Sequence, residues 1–232
     1  MQVIKDSYLK YLCTHRRSNE KLKILHGAIA NDLQNQLGSN FLIKSYGIGD
    51  NKENKMKGRY IDKQVDIFVG KNNQSAHNSE LGGIAIKFIM SNYSQNSNNY
   101  FESMLGETAN IRSCNKAYFQ IIILPEQLPY FSSSDQITKI ETITAHNLNK
   151  YTKLSNDNTN EFMHTPNKTL LYLIKTPNLD TNATKTREDF AKARLQNFQC
   201  TTSEQQFEFG NTVIYNDYEQ FISKVSYYFL SI

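Results

Sequence analysis

Two charged residues stand inside apolar runs of this 232-residue chain. Asp66 interrupts Val65-Asp66-Ile67-Phe68-Val69, and Lys87 interrupts Gly83-Ile84-Ala85-Ile86-Lys87-Phe88. Asp and Lys are among the residues least often buried without a partner. In strands, side chains alternate faces. Asp66 and Phe68 should therefore share one face, and Ala85 and Lys87 should share another. If the strands are neighbours, Asp66 meets Lys87 at one end of the sheet. An Asp carboxylate is a hard oxygen ligand suited to Mg²⁺, which commonly takes one or two protein carboxylates plus water and substrate phosphate. A nearby lysine can orient or deprotonate a water, or offset charge on a pentavalent phosphate. Metal, carboxylates and lysine together can hydrolyse a phosphodiester. A structural reading stays open beside this one. Lys87 could snorkel to water from an edge strand, and Asp66 could pair with Arg59 or Lys63.

The elements that must hold this pair are legible from periodicity. Leu22, Leu25, Ile29, Leu33 and Leu37 recur at helical spacing after Ser18 or Asn19, and Gly38 ends the run. A shorter helix is expected within residues 1–18. Strands are expected over Phe41 to Tyr46, within Arg59 to Val69, and over Gly83 to Met90. Gly47 to Gly58 and Gly70 to Gly82 read as polar loops, and Ser91 to Asn99 as an Asn/Ser/Gln segment. Asn99 to Arg112 reads as a helix with Phe101, Met104, Leu105, Thr108 and Ile111 on one face. Ala117 to Leu124 is near-continuously apolar, as a central strand covered on both faces would be. Beyond it, a helix is expected over Asp135 to Leu154 and a strand over Lys168 to Lys175. A helix over Thr186 to Phe198, a strand over Phe207 to Tyr215 and a closing helix over Asp217 to Leu230 complete the chain. The strands before and after the Asn99 to Arg112 helix should be parallel, with a right-handed crossover. These elements predict one α/β domain, a mixed central sheet flanked by helices.

Composition narrows the class. Net charge is +4 and the pI is near 8.8, which permits a nucleic-acid partner without requiring one. Lys44, Lys52, Lys55, Lys57, Arg59 and Lys63 cluster in one stretch, and Lys185, Arg187, Lys192 and Arg194 in another. Taken alone, both also fit solvated loops and a helix face. No run approaches the ~20 apolar residues of a membrane span, and Met1 to Lys10 has no uninterrupted apolar stretch of the signal-peptide kind. The three cysteines, Cys13, Cys114 and Cys200, lie far apart, which fits a reducing cytoplasm better than a disulfide scaffold. There is no phosphate-binding Gly-x-x-x-x-Gly-Lys-[Ser/Thr] loop, and Gly47-Ile48-Gly49 lacks the rest of a dinucleotide fingerprint. The five histidines are scattered, and Cys13-Thr14-His15 has no partner pair at zinc spacing.

With these residues in place, the chain resembles the PD-(D/E)xK nuclease superfamily, and within it the type II restriction endonucleases. The resemblance covers residues 19 to 124, in the superfamily's αβββαβ order. Residues 125–232 would be a C-terminal α/β elaboration supplying dimer contacts, DNA contacts or both. The resemblance makes Asp66 the metal-binding acid and Lys87 the catalytic lysine. The family's second acid normally sits two residues before the lysine, where this chain has Ala85. Some of these enzymes carry that acid on the following helix, which makes Glu102 the first choice to share the metal with Asp66. Glu107 and Glu80 are the alternatives. The implied function is Mg²⁺-dependent, sequence-specific cleavage of double-stranded DNA by a homodimer whose two-fold axis matches a palindromic site. Lys55, Lys57 and Arg59 would contact the phosphate backbone. Asn92, Tyr93, Ser94, Gln95, Asn96, Asn98 and Asn99 would lie beside the scissile phosphate, where Asn and Gln can bond base edges; an ordinary loop and helix cap is the other reading of this segment. A repair or junction nuclease of the same fold, or an inactive DNA-binding protein on that fold, are the rival readings.

Overall fold

A computed structural model describes residues 1–14, 18–48, 51–72, 79–180, 182–196 and 198–232. His15, Gly49 and the middle of the polar loop expected over 70–82 fall outside the described residues. The chain opens with two helices, α1 (Gln2–Cys13) and α2 (Glu20–Leu37), and then β1 (Phe41–Ser45). A small hairpin follows, β2 (Asn54–Met56) with β3 (Lys63–Val65). Next come β4 (Ile67–Lys71), β5 (Ser79–Phe88), α3 (Tyr93–Arg112) and β6 (Ala117–Pro125). The second half adds β7 (Gln127–Phe131), β8 (Ile137–Thr142), α4 (Ala145–Ser155) and β9 (Lys168–Lys175). It ends with α5 (Arg187–Gln196), β10 (Thr201–Thr202), β11 (Val213–Tyr215) and α6 (Tyr218–Leu230).

The molecule is an α/β fold with a mixed central sheet. Its order is β1-β4-β5-β6-β9-β10, and β11 also pairs with β9. β4 runs antiparallel to both its neighbours, β1 and β5, whereas β5, β6 and β9 are parallel. The order α2, β1, β4, β5, α3, β6 is therefore the expected one, with the β2–β3 hairpin inserted after β1. The second half is not a separate layer: β9 extends the sheet directly beside β6.

β6 is buried along its whole length, because both faces of the sheet are covered. Phe119, Ile121 and Ile123 pack on the α2 and α6 side, and Ile122 and Leu124 on the α3 and α4 side. Around Phe119 the rings of Phe221 and Phe229 stand edge-on, at 6.5 and 5.5 Å between centroids. Burial of this kind is worth about 1.5–3 kcal/mol for each large apolar side chain.

Three stretches differ from expectation. Residues 135–144 are not helical: β8 pairs with β7 as a hairpin, and α4 starts only at Ala145. Ile137, Ile140 and Ile143 imitate a helical step, but Ile and Thr fill this stretch and their branched side chains favour a pleated surface. Thr144 and Asn147 then form a capping box that begins the helix. The strand expected over 207–215 shrinks to Val213–Tyr215. The segment 91–99 is mostly helix, since α3 begins at Tyr93 after Asn92, whose φ of 51° marks the break.

One close approach prepares the site. Gly47, at φ 78°, crosses α2 at Gly27, where an added Cβ would lie 3.0 Å from the Gly47 Cα. The chain leaving β1 thus lies directly on α2, next to His26.

Candidate metal centre

Asp66 sits at a bend between β3 and β4, not inside one straight strand. Simple alternation fails there. Val65 and Phe68 lie in one cluster with Met56 and Ala85, while Ile67 and Val69 face the α2 side. The bend is held by specific bonds. Ser45 Oγ donates to the Asp66 carbonyl at 2.6 Å. The Ile86 N–H donates to Asp66 Oδ2 at 2.6 Å, a charge-assisted bond of the stronger kind. The carboxylate is thereby fixed on β5, at the residue before Lys87.

The hairpin supplies a second acid. Its outermost pair is Asn54 with Val65, so Glu53 and Asp66 are the next residue out on each strand. α2 supplies an imidazole. The ligand atoms of His26, Glu53 and Asp66 all lie within 4.8 Å of one another, and His26 Nδ1 is 4.0 Å from Glu53 Oε1. Glu53 Oε2 accepts from Gln64 Nε2 at 2.9 Å, which leaves Oε1 facing the cluster.

Electrostatics fit a cation at this point. His26 is 0 % exposed, and neither ring nitrogen has a hydrogen-bond partner. Burial holds its pKa below the ordinary histidine value, against the pull of the Asp66 charge. A neutral imidazole with an unused lone pair is a ligand form of histidine. Burial pushes the Glu53 carboxyl up, and the Asp66 charge pushes it further, with Gln64 and Lys63 opposing. A buried polar group without a partner is costly, and one divalent ion would relieve both the imidazole and the crowded carboxylates. Two carboxylates suit Mg²⁺ or Mn²⁺, and an imidazole moves the preference toward Mn²⁺ and later transition metals.

Lys87 is half-buried near the end of β5 and makes no hydrogen bond or ion pair with a described residue. It lines a cleft of about 460 Å³ together with Lys21, Asn92, Asn96, Tyr100 and Arg187. Arg187 reaches the cleft from α5 in a fixed pose. Its Nε donates to Asp135 at 3.2 Å, its Nη1 donates to the Tyr11 hydroxyl at 2.9 Å, and its guanidinium lies 4.2 Å from the Phe131 ring centroid.

None of the three acids expected to complete the site joins Asp66. Glu102 is exposed on α3, and its charge acts on Lys150 of α4. Glu107 pairs with Lys63 at 2.7 Å. Glu80 pairs with Lys116 and accepts from the Lys57 N–H at 3.2 Å. The acid that the structure does bring beside Asp66 is Glu53. His26 carried a signal in the sequence: it falls four residues after Leu22 and three before Ile29, on the apolar stripe of α2. Glu53 carried almost none, because only the hairpin register aligns it with Asp66.

The residues expected to touch DNA divide into two groups. Lys55, Lys57 and Arg59 are exposed on the β2–β3 hairpin. At the start of α3 the side chains are partly committed elsewhere. Tyr93 is 1 % exposed and packs in the core, its hydroxyl donating to the Asn147 carbonyl at 3.3 Å. It is a core residue and does not face a partner. The Asn92 amide donates to and accepts from the Phe131 backbone at 2.8 and 3.0 Å, while Ser94 bonds Glu141 and Asn98 accepts from Lys150. Gln95 and Asn99 are exposed, and Asn96 opens onto the cleft. Comparison with protein-family models, curated proteins and solved structures finds no match to this chain.

Proposed function

We propose that this protein is a divalent-metal-dependent endonuclease acting on double-stranded DNA, a restriction enzyme of the type II kind working as a cytoplasmic homodimer. The observation that carries the reading is the convergence of His26, Glu53 and Asp66 beside the strand that holds Lys87. Glu53 takes the part of the second acid, in place of Glu102. A bound Mg²⁺ or Mn²⁺ would supply Lewis-acid polarisation of the phosphate and a more acidic water. Asp66 is held ready by the Ile86 N–H, Lys87 has no competing hydrogen bond or ion pair among the described residues and could orient a water or offset phosphate charge, and burial favours the neutral form of His26. Lys21 and Arg187 give the adjoining cleft the sign that attracts a phosphodiester strand. The exposed Lys55, Lys57 and Arg59 would add backbone contacts, with salt-dependent affinity.

The rival is an inactive DNA-binding protein on a nuclease-like fold. Ala85, buried in an apolar cluster where an acid is expected, favours it. Incubation of supercoiled plasmid with Mg²⁺ or Mn²⁺ separates the two. Discrete fragments that vanish in Asp66→Ala support the enzyme. No cleavage by the wild-type protein with any divalent metal leaves the inactive reading.

A further inference from the structure

The hairpin that brings Glu53 to Asp66 ends in an unusual tip. Tyr60 is 79 % exposed and Ile61 67 % exposed, side by side in sequence. Single exposed apolar residues are ordinary, but this pair is presented by backbone that is firmly held. Asn110 of α3 is 7 % exposed, and its Oδ1 accepts from the N–H groups of Tyr60 and Ile61 at 2.9 and 3.3 Å. Its Nδ2 donates to the Ile61 carbonyl at 2.8 Å, and its own carbonyl accepts from the Arg59 N–H at 2.9 Å. Gly58 lies so close beneath that a Cβ there would collide with the Asn110 amide and the Ile61 carbonyl. Lys116 Nζ donates to the Lys57 carbonyl at 2.7 Å. A buried asparagine spent on fixing the backbone under two solvent-facing apolar side chains implies that their position matters.

The surroundings say what they meet. Lys55, Lys57 and Arg59 are exposed along the same tip, against one exposed acid, Asp62. Asp66 follows Ile61 by five positions, at most about 17 Å of extended chain, or about five base steps at ~3.4 Å each. We propose that Tyr60 and Ile61 form a wedge that stacks on nucleobases of the substrate while the flanking cations hold its phosphates. Apolar side chains pushed between base steps, and aromatic rings laid on bases, are general modes of nucleic-acid binding. The identity of the partner rests on the nuclease reading. The bases are reached either by unstacking a duplex step or where they are already unpaired.

The test is metal-free binding, in EDTA, of fluorescein-labelled duplex and single-stranded oligonucleotides over a range of salt. Two variants are compared with wild type: Tyr60→Ser/Ile61→Ser, and Lys55→Gln/Lys57→Gln/Arg59→Gln. Both alter exposed side chains, and thermal melts check that each folds. The wedge variant should bind about ten- to a hundredfold more weakly with an unchanged salt slope, while the charge variant should show a shallower slope. The strand form with the larger loss identifies how the bases are reached. Unchanged affinity in the wedge variant overturns the proposal and leaves the nuclease reading intact. A dimer that dissociates on the same substitution also overturns it, assigning the tip to a second copy of the chain. DNA binding that depends on the wedge, with no cleavage in any divalent metal, keeps the wedge and sinks the nuclease reading. No binding of either strand form by wild type, in EDTA or with Ca²⁺ in its place, overturns the wedge, and plasmid cleavage then decides the nuclease reading separately.

Discussion

Glu53 and Asp66 stand on either side of the open end of one hairpin, one residue beyond the Asn54–Val65 pair, with the His26 imidazole against them. The hairpin itself holds their charges together. The fold therefore sets two carboxylates where their charges oppose each other, a repulsion that a bound cation would relieve.

A pH dependence follows, with a definite sign. The Glu53 carboxyl is raised in the folded protein by burial and by Asp66. The stability it contributes is fully present below the ordinary carboxylate value and is lost as pH rises through the raised one. Metal-free protein should thus lose Tm across that window. Saturating Mn²⁺ should reverse the loss, by about 2.7 kcal/mol at a hundred times Kd. Glu53→Gln should melt higher than wild type without metal and gain little from Mn²⁺. Thermal melts at several pH values with and without Mn²⁺ are the check; a Glu53→Gln protein that still gains the full Mn²⁺ shift removes Glu53 from the site.

The second acid can be decided by activity. Glu53→Ala should lower plasmid cleavage by at least a hundredfold, as should Asp66→Ala. Glu102→Ala should stay within about twofold, because Glu102 is exposed and faces Lys150. The reverse pattern would return the role to the helix.

The fold was largely legible and the site only in part, for physical reasons. Long elements with a strong apolar period, such as α2, β6 and β9, report themselves because one face or both must be buried. Residues 135–144 misled because three isoleucines at a three-residue step satisfy a helix and a hairpin alike. At Asp66 the fault lay in assuming unbroken alternation. The bend depends on Ser45 and the Ile86 N–H, contacts from β1 and β5 that no local pattern encodes. Asp66 and Lys87 were conspicuous as charges among apolar neighbours. Glu53 was not, since an acid in a polar loop looks like any other.

Lys87 should separate chemistry from binding. It has no hydrogen bond or ion pair with a described residue, so Lys87→Met should leave the Tm within a degree or two. Metal-free affinity for DNA should fall by less than about threefold, the loss of one half-buried cation. Cleavage at saturating DNA and metal should fall by at least a hundredfold, in the range of losing a general acid–base group. Single-turnover kinetics read this directly. An unchanged rate constant would make Lys87 a surface residue of the cleft and nothing more.

The tip anchor offers a prediction that needs no substrate. Asn110 makes three side-chain hydrogen bonds to Tyr60 and Ile61 from a buried position. At about 1 kcal/mol each, Asn110→Ala should cost about 2–3 kcal/mol, measured by urea denaturation. Gly58→Ala should cost a similar amount by a different route, because its Cβ must displace that same amide. Both substitutions disrupt the Asn110 amide, and only the clash of the new Cβ with the Ile61 carbonyl belongs to Gly58→Ala alone, so the double variant should lose clearly less than the two single losses together. Such non-additivity is the signature of a shared partner. Additive losses would mean that Asn110 and Gly58 act separately and that the tip is not held by a single clamp. Hydrogen exchange at the Tyr60 and Ile61 amides should rise sharply in each variant while that of β6 stays slow, placing the change at the hairpin and not in the sheet.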